Sequence, residues 1–168
     1  MDKLWAPWRM EYIQDTRVKT EEGECIFCHL AKQTPDDKSL VLARGKESYV
    51  VMNRFPYNCG HLLIVPYQHT ANLSDLSKEG QQETIWLLDK SLQILEECMK
   101  ATGFNCGLNL GKNAGGGILD HFHWHVVPRW QGDTNFLPVL AQAKPMPEYL
   151  SETYKKLEKG FQNLGEVR

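Results

Sequence analysis

The chain has 168 residues, of which 42% are hydrophobic and 24% are charged, as is typical of one globular domain. Its 19 Lys+Arg and 21 Asp+Glu give a net charge of -2, which argues against a protein that coats nucleic acid. No apolar run approaches the roughly 18 residues that cross a bilayer, and the N-terminus lacks a signal-peptide core, so we expect neither membrane insertion nor secretion.

The N-terminal segment, residues 1–24, contains Trp5 and Trp8 and is predicted to be an aromatic arm that packs on the body or on a partner subunit. After it, Cys25 and Cys28 form a C-x-x-C pair that can ligate a metal or act in redox chemistry. The cysteine count is odd, which favours a reducing, cytoplasmic location over a disulfide framework. The other three cysteines are predicted to be core thiols: Cys59, Cys98 and Cys106.

Further elements follow from turn signals and apolar spacing. Residues 32–38 are predicted to form a turn, and strands are expected at 40–44, 48–53 and 61–66, with a turn at 55–60 and Pro66 closing the third strand. Residues 77–102 have helical spacing, with Ser77 as N-cap and Gly103 as the stop.

A strand at 107–110 leads into a glycine-rich loop at 111–117, and a strand at 121–127 is expected to end at Pro128. A polar stretch and a helix at 148–161 follow. The fold class is therefore α+β, a mainly antiparallel sheet with one long helix on a face and a C-terminal helix, within a single domain spanning residues 1–168.

Three of the six histidines alternate in the segment Asp120–Val126, at His121, His123 and His125. On a strand, this spacing places the three imidazoles on one face and Phe122, Trp124 and Val126 on the other. Such a row can bind a metal, attack phosphorus with a neutral imidazole, or simply be the polar face of a sheet. The preceding glycines let backbone N–H groups approach an anion such as a phosphate, which favours attack on phosphorus over the other two uses.

These residues resemble the histidine triad (HIT) family, whose signature alternates His with apolar residues as His121–Val127 does here. The turn at Asn53 and Arg54, the strand 60–66 and Asn109 also match, so the resemblance covers a HIT core at residues 25–130. The flanks are similar to the bacterial diadenosine tetraphosphate phosphorylase-like branch. One departure is Ile118, where many relatives carry a hydroxyl that would serve the leaving group.

The resemblance implies a nucleotidyl hydrolase or transferase. His123 would attack the α-phosphorus of a nucleotide or dinucleotide, His125 would assist the leaving group, and His61 would sit beside them. Water or inorganic phosphate would then release the nucleotide. Substrate would be held by residues that are polar or glycine: Asn53, Asn109, Lys112, Gly115, Gly116 and Gly117. Family members are usually homodimers joined through the helix and an edge strand.

The cysteine pair would hold a structural zinc together with two histidines. The resemblance implies His121 as one ligand, and His69 is the candidate for the other. His29 is an alternative ligand. The alternative to a metal site is that Cys25 and Cys28 are two reduced cysteines packed in the fold. A C-terminal extension follows at residues 131–168. Just before it, Arg129 and Trp130 could either contact a ligand or pack within the fold.

Two other function classes remain open at this point. One is a nucleotide-binding module with little turnover, and the other is a zinc-stabilised interaction protein whose histidines are all metal ligands. A His123→Ala variant distinguishes the enzyme from the zinc-stabilised interaction protein. If His123 is the nucleophile, the variant keeps its metal and loses turnover; if His123 is a ligand, the variant loses the metal.

Overall fold

The computed structural model describes residues 24–34, 36–133, 146–162 and 164. The predicted aromatic arm, apart from Glu24, and most of the polar stretch that precedes the last helix lie outside these residues. The described strands form one five-stranded antiparallel sheet in the order β1-β2-β3-β5-β4. The strands are β1 Val41–Arg44, β2 Ser48–Met52, β3 Leu62–Pro66, β4 Gly103–Leu108 and β5 Trp124–Arg129. The described helices are α1 Ile26–Lys32, α2 Asp36–Ser39, α3 Lys78–Met99 and α4 Leu150–Gln162.

The two central strands β2 and β3 are buried along their whole length, as their continuous apolar sequence predicts. Alternate residues enter two separate clusters. Leu62 and Ile64 pack with α3 and α4 on one face, whereas Leu63 and Val65 pack with Phe27 of α1 on the other. Long helices therefore cover the first face, and the second face receives the segment that bears the cysteines. The α+β class is confirmed.

The long helix α3 begins as predicted, because the Ser77 hydroxyl accepts a hydrogen bond from the Gly80 amide at 3.0 Å. The prediction that it ends at Gly103 is wrong. Lys100 takes up the left-handed conformation with φ 55°, and its N–H returns to the helix, so Met99 is the last helical residue. Gly103 is instead the first residue of β4, which starts four residues earlier than expected.

Two further boundaries differ from expectation. The expected turn at 32–38 is largely helical, with α1 and α2 on its two sides. β5 starts at Trp124 and runs through Pro128, which pairs with Phe104 of β4. Pro128 is tolerated because β3 pairs only with the first residues of β5, so no strand on that side needs an N–H from it. The Asn58 amide donates to the Pro128 carbonyl there instead.

Trp124 and Arg129 at the two ends of β5, and Trp130 just after it, make packing contacts within the fold. Trp130 donates its indole N–H to the Met99 carbonyl at 3.0 Å, which satisfies an end of α3. Arg129 pairs with Asp133 at 2.6 Å, and Trp124 packs against the cluster under α3. For Trp130 and Arg129, the packing alternative therefore accounts for the contacts.

Helix α4 packs closely on α3 through Gly160. A Cβ at this position would lie 2.7 Å from Ile94 Cγ2 and 2.9 Å from Cys98 Sγ. Gly160→Ala is therefore expected to destabilise the fold by about 1–3 kcal/mol, although the same change in an exposed helix stabilises it by about 1 kcal/mol. Urea unfolding measures the difference, with the exposed Lys155→Ala as the control. A Gly160→Ala protein more stable than wild type would contradict this packing.

Candidate active site and metal centre

The alternating histidines lie partly before β5 and partly within it. His121 and His123 precede the strand in an extended segment, and His125 is its second residue. The segment is held in place by the Phe122 N–H, which donates to the Thr70 carbonyl at 2.8 Å. Contrary to the expected surface row, His121 and His123 are buried, with exposed fractions of 0% and 8%.

His123 has a defined tautomer. Its Nδ1 lies 3.0 Å from the backbone carbonyl oxygen of His121. A carbonyl oxygen only accepts hydrogen bonds, so Nδ1 carries the proton and Nε2 carries the lone pair. Burial lowers the pKa of His123, which keeps the ring neutral. A neutral imidazole with a defined lone pair is the state that a nucleophile needs.

A second chain of contacts sets the proton position on His125. The backbone N–H of Tyr57 donates to Nδ1 of His61 at 3.1 Å, so the His61 proton must be on Nε2. That nitrogen lies 3.0 Å from Nδ1 of His125 and donates to it. Nε2 of His125 is then left protonated. The ring centroids of His123 and His125 are 4.8 Å apart, so the ring assigned the lone pair and the ring assigned the N–H donor are neighbours.

Asn53 and Asn109 each contact one member of this relay. The Asn53 amide lies 3.2 Å from His61 Nδ1, and its oxygen accepts the Phe55 N–H. The Asn109 amide nitrogen Nδ2 lies 3.2 Å from Nε2 of His125, so the amide must turn about its terminal bond for its oxygen to accept the proton of a protonated Nε2. Both side chains are thus at the histidines, and their binding of ribose or phosphate stays a prediction.

The glycine-rich loop leads away from Asn109. Gly116 packs beside it, since a Cβ there would lie 3.3 Å from Asn109 Cβ. Gly115 takes up a left-handed conformation with φ 76°, which side chains rarely adopt. Lys112, Gly115 and Gly117 are exposed. Their contact with a phosphate stays a prediction.

Burial is the largest of the causes that lower the pKa of His61 to about 3, and the neighbouring His125 and His123 are the lesser ones. Burial likewise lowers the pKa of His125 to about 4, with His123 as a second cause. Both values lie below the ordinary histidine value near 6.5. In the folded protein the relay therefore stays neutral through the physiological pH range.

These shifts predict a loss of stability in mild acid. The unfolded chain takes up protons below about pH 6.5 that the folded chain refuses until about pH 4. The free energy of unfolding should therefore fall as pH falls through this window, by about 1.4 kcal/mol per pH unit for each such histidine. Urea titrations at several pH values measure the slope. His61→Gln should reduce the slope of the unfolding free energy against pH. Contributions from other groups cancel in the difference between the two proteins. Equal slopes would contradict the lowered pKa of His61.

The four predicted metal ligands come together at the other end of the histidine segment. One donor atom from each of Cys25, Cys28, His69 and His121 lies within 4.8 Å of every other. Three sulfur–nitrogen pairs are 3.4, 3.4 and 3.6 Å apart. In a tetrahedral zinc site, neighbouring sulfur and nitrogen ligands are separated by about 3.5 Å. The donors present therefore fit such an ion.

The tautomer of His121 also suits ligation. Its Nε2 donates to the Pro66 carbonyl at 2.8 Å, which directs the lone pair of Nδ1 toward the two sulfurs. His29, the alternative ligand, instead pairs through Nδ1 with Glu24 at 2.9 Å. The cluster ties α1 to the end of β3 and to the start of the histidine segment.

Sequence reasoning missed two contributors. The backbone N–H of Tyr57 sets the proton on His61, and the Tyr57 ring stacks on His125 at 5.7 Å. Phe27, between the two cysteines, packs its ring against His123 at 4.7 Å. The available signal was the position of each residue, four residues before His61 for Tyr57 and inside the C-x-x-C pair for Phe27. A backbone amide or a ring contact has no sequence signature of its own.

Comparisons with known proteins identify the family of this chain. A family model described as the HIT domain matches residues 34–132, more than half of the chain. The chain belongs to the HIT family. Its described helices and antiparallel sheet also match solved HIT structures, including a Zn-bound histidine triad family protein from Mycobacterium smegmatis. That protein has a TM-score of 0.66 and 24% identity, with 84% of this chain and 95% of that one covered.

Two curated HIT relatives are enzymes by name. An AP-4-A phosphorylase of Mycobacterium tuberculosis is 38% identical over 162 residues, which cover 94% of this chain and 83% of that protein. An adenosine 5'-monophosphoramidase of Saccharomyces cerevisiae is 31% identical over 121 residues, which cover 70% of this chain and 72% of that protein.

Among the described residues, no helix is both long and apolar enough to pass through a membrane.

Proposed function

We propose that this HIT protein is a nucleotidyl hydrolase or transferase that cleaves dinucleoside polyphosphates, or related nucleotidyl compounds, through His123. The observation that carries the proposal is the pair of neighbouring imidazoles, with ring centroids 4.8 Å apart, whose hydrogen-bond partners assign a lone pair to His123 Nε2 and a proton to His125 Nε2. The relative named AP-4-A phosphorylase supports diadenosine tetraphosphate as the substrate.

In the first step, Nε2 of His123 attacks the α-phosphorus, a P–N bond forms and the P–O bond to the leaving group breaks. His125 donates its Nε2 proton to the departing oxygen, or bonds it if it leaves as an anion. In the second step, water or inorganic phosphate attacks the same phosphorus and the P–N bond breaks. Water yields a nucleoside monophosphate, and phosphate yields a diphosphate. Asn53, Asn109, Lys112 and the backbone of Gly115, Gly116 and Gly117 hold the substrate.

Product analysis with diadenosine tetraphosphate, with and without inorganic phosphate, tests this function. ADP plus ATP formed only with phosphate identifies a phosphorylase, which is the result we expect. AMP plus ATP without phosphate identifies a hydrolase. Absence of turnover in both would overturn the substrate assignment.

A second candidate within the same chemistry is the hydrolysis of nucleoside phosphoramidates. The yeast relative named adenosine 5'-monophosphoramidase favours it. Adenosine 5'-monophosphoramidate assayed beside diadenosine tetraphosphate separates the two, since the ratio of kcat/KM values ranks the leaving groups.

We also propose that the Cys25, Cys28, His69 and His121 cluster holds a structural zinc. The donor set is two thiols and two imidazoles, and with four protein ligands no position is open for substrate. Zinc bound there would fix α1 and the histidine segment in place and would take no part in the reaction. A cytoplasmic location stays a prediction of the sequence.

A homodimer is the proposed assembly. β4 lies at the edge of the described sheet, and its residues Asn105 and Cys106 are exposed, so a second copy can continue the sheet there. The long helix offers a second contact, because its apolar residue Ile85 is 51% exposed. Sedimentation equilibrium is expected to give twice the chain mass, and a monomer at micromolar concentration would contradict this assembly.

A further inference from the structure

Phe27 is placed where the cysteine segment meets the reactive histidines. It lies on α1 between Cys25 and Cys28, and only 3% of it is exposed. Its ring packs edge-on against His121 at 5.5 Å and at a tilt against His123 at 4.7 Å. Its carbonyl accepts a hydrogen bond of 2.8 Å from Tyr49, a fully buried residue of β2. This hydrogen bond anchors the backbone of Phe27 to the sheet.

The His123 ring contacts the His125 ring, and two further contacts that orient it come from the segments that carry the Cys25, Cys28, His69 and His121 cluster. The first is the hydrogen bond from His123 Nδ1 to the carbonyl of His121, itself one of the four clustered ligands. A single hydrogen bond fixes where one ring atom points and leaves the tilt of the ring free. The second is the Phe27 ring, which packs on the imidazole and restricts that tilt.

We propose that Phe27 is a positioning residue for the nucleophile, through which the Cys25, Cys28, His69 and His121 cluster controls the aim of His123 Nε2. The inference rests on the proposed function. Its consequence is large for a residue that does not touch substrate, because a displacement of about 1 Å in a reacting atom can cost roughly 100-fold in rate.

Phe27→Leu tests the proposal, because it keeps an apolar side chain and removes the flat ring. Val51→Ala is the matched control: Val51 is 2% exposed and belongs to the same cluster, but lies on β2, which β3 separates from β5. We expect Phe27→Leu to lower kcat by about tenfold or more with KM little changed. Val51→Ala should lose thermal stability with its kcat retained. Both proteins should keep a full complement of metal.

An unchanged kcat in Phe27→Leu, or a kcat that falls only in proportion to lost metal, would overturn the proposal. Nitrogen NMR of the His123 imidazole provides a readout that needs no substrate. The signal of the proton on Nδ1 should shift or broaden in Phe27→Leu and stay in place in Val51→Ala, and identical spectra would again overturn the proposal. If Phe27→Leu does not fold, Phe27→Met, with a flexible side chain of similar volume, takes its place in both measurements.

The outcome for His123→Ala separates this inference from the proposed function. Turnover that survives in His123→Ala would remove the proposed function itself. An inactive His123→Ala beside a fully active Phe27→Leu would leave that function standing and remove only the positioning role of Phe27.

Discussion

His123→Ala is expected to lower kcat for diadenosine tetraphosphate by about 10⁴-fold or more, while the fold and the bound metal stay unchanged. The loss is large because the neighbouring imidazole, His125, is assigned a proton where His123 has a lone pair. His125 stands 4.8 Å away with its Nε2 protonated by the relay from Tyr57 through His61. A donor cannot replace a nucleophile.

The measurement is single-turnover kinetics together with metal analysis of the same preparation. His125→Asn is the companion variant, expected to lose about 10²–10⁴-fold, since it removes a proton donor and leaves the nucleophile in place. The covalent nucleotidyl adduct should form slowly in His125→Asn and not at all in His123→Ala. Loss of metal from His123→Ala would instead identify the histidine as a ligand, and turnover near wild type would contradict its role as nucleophile.

The histidine spacing was enough to predict which residues share a face of the strand, because a period of two places His125 on the face opposite to Trp124 and Val126. Those two apolar residues pack under the long helices, as expected. The cluster of Cys25, Cys28, His69 and His121 was reached through the family resemblance as well as through the cysteine spacing. The structure brings those four side chains together.

Other features depend on contacts that only the folded chain creates. The end of α3 is set by Lys100 in a left-handed conformation, which a sequence reader assigns by preference to a glycine such as Gly103. Pro128 lies inside β5, where β3 no longer pairs with the strand and its carbonyl accepts a hydrogen bond from the side chain of Asn58, 70 residues away. Tyr57 acts through its backbone N–H, a group that every residue except proline carries. Such tertiary effects override local preference and leave no pattern in the sequence.

Removing one thiol of the cluster is expected to have the largest effect on stability. Cys28→Ser should lose the bound zinc and on the order of several kcal/mol of unfolding free energy, because metal affinity adds directly to the stability of the folded state. The cluster connects α1, the residues after β3 and the histidine segment, which are 41 and 93 residues from Cys28 in the chain. Without the ion, the packing of Phe27 must hold these parts together alone.

The experiment compares wild type, Cys28→Ser and His29→Ala by denaturant unfolding and metal analysis, each with zinc and with a chelator. His29 is the matched control, since its ring pairs with Glu24 and not with the sulfurs. With zinc, we expect His29→Ala to behave as wild type and Cys28→Ser to be far less stable. With chelator the gap should close, because the metal accounts for nearly all of it. A gap that persists in chelator would instead attribute the loss to packing of the Cys28 side chain, and equal zinc content in all three proteins would exclude Cys28 as a ligand.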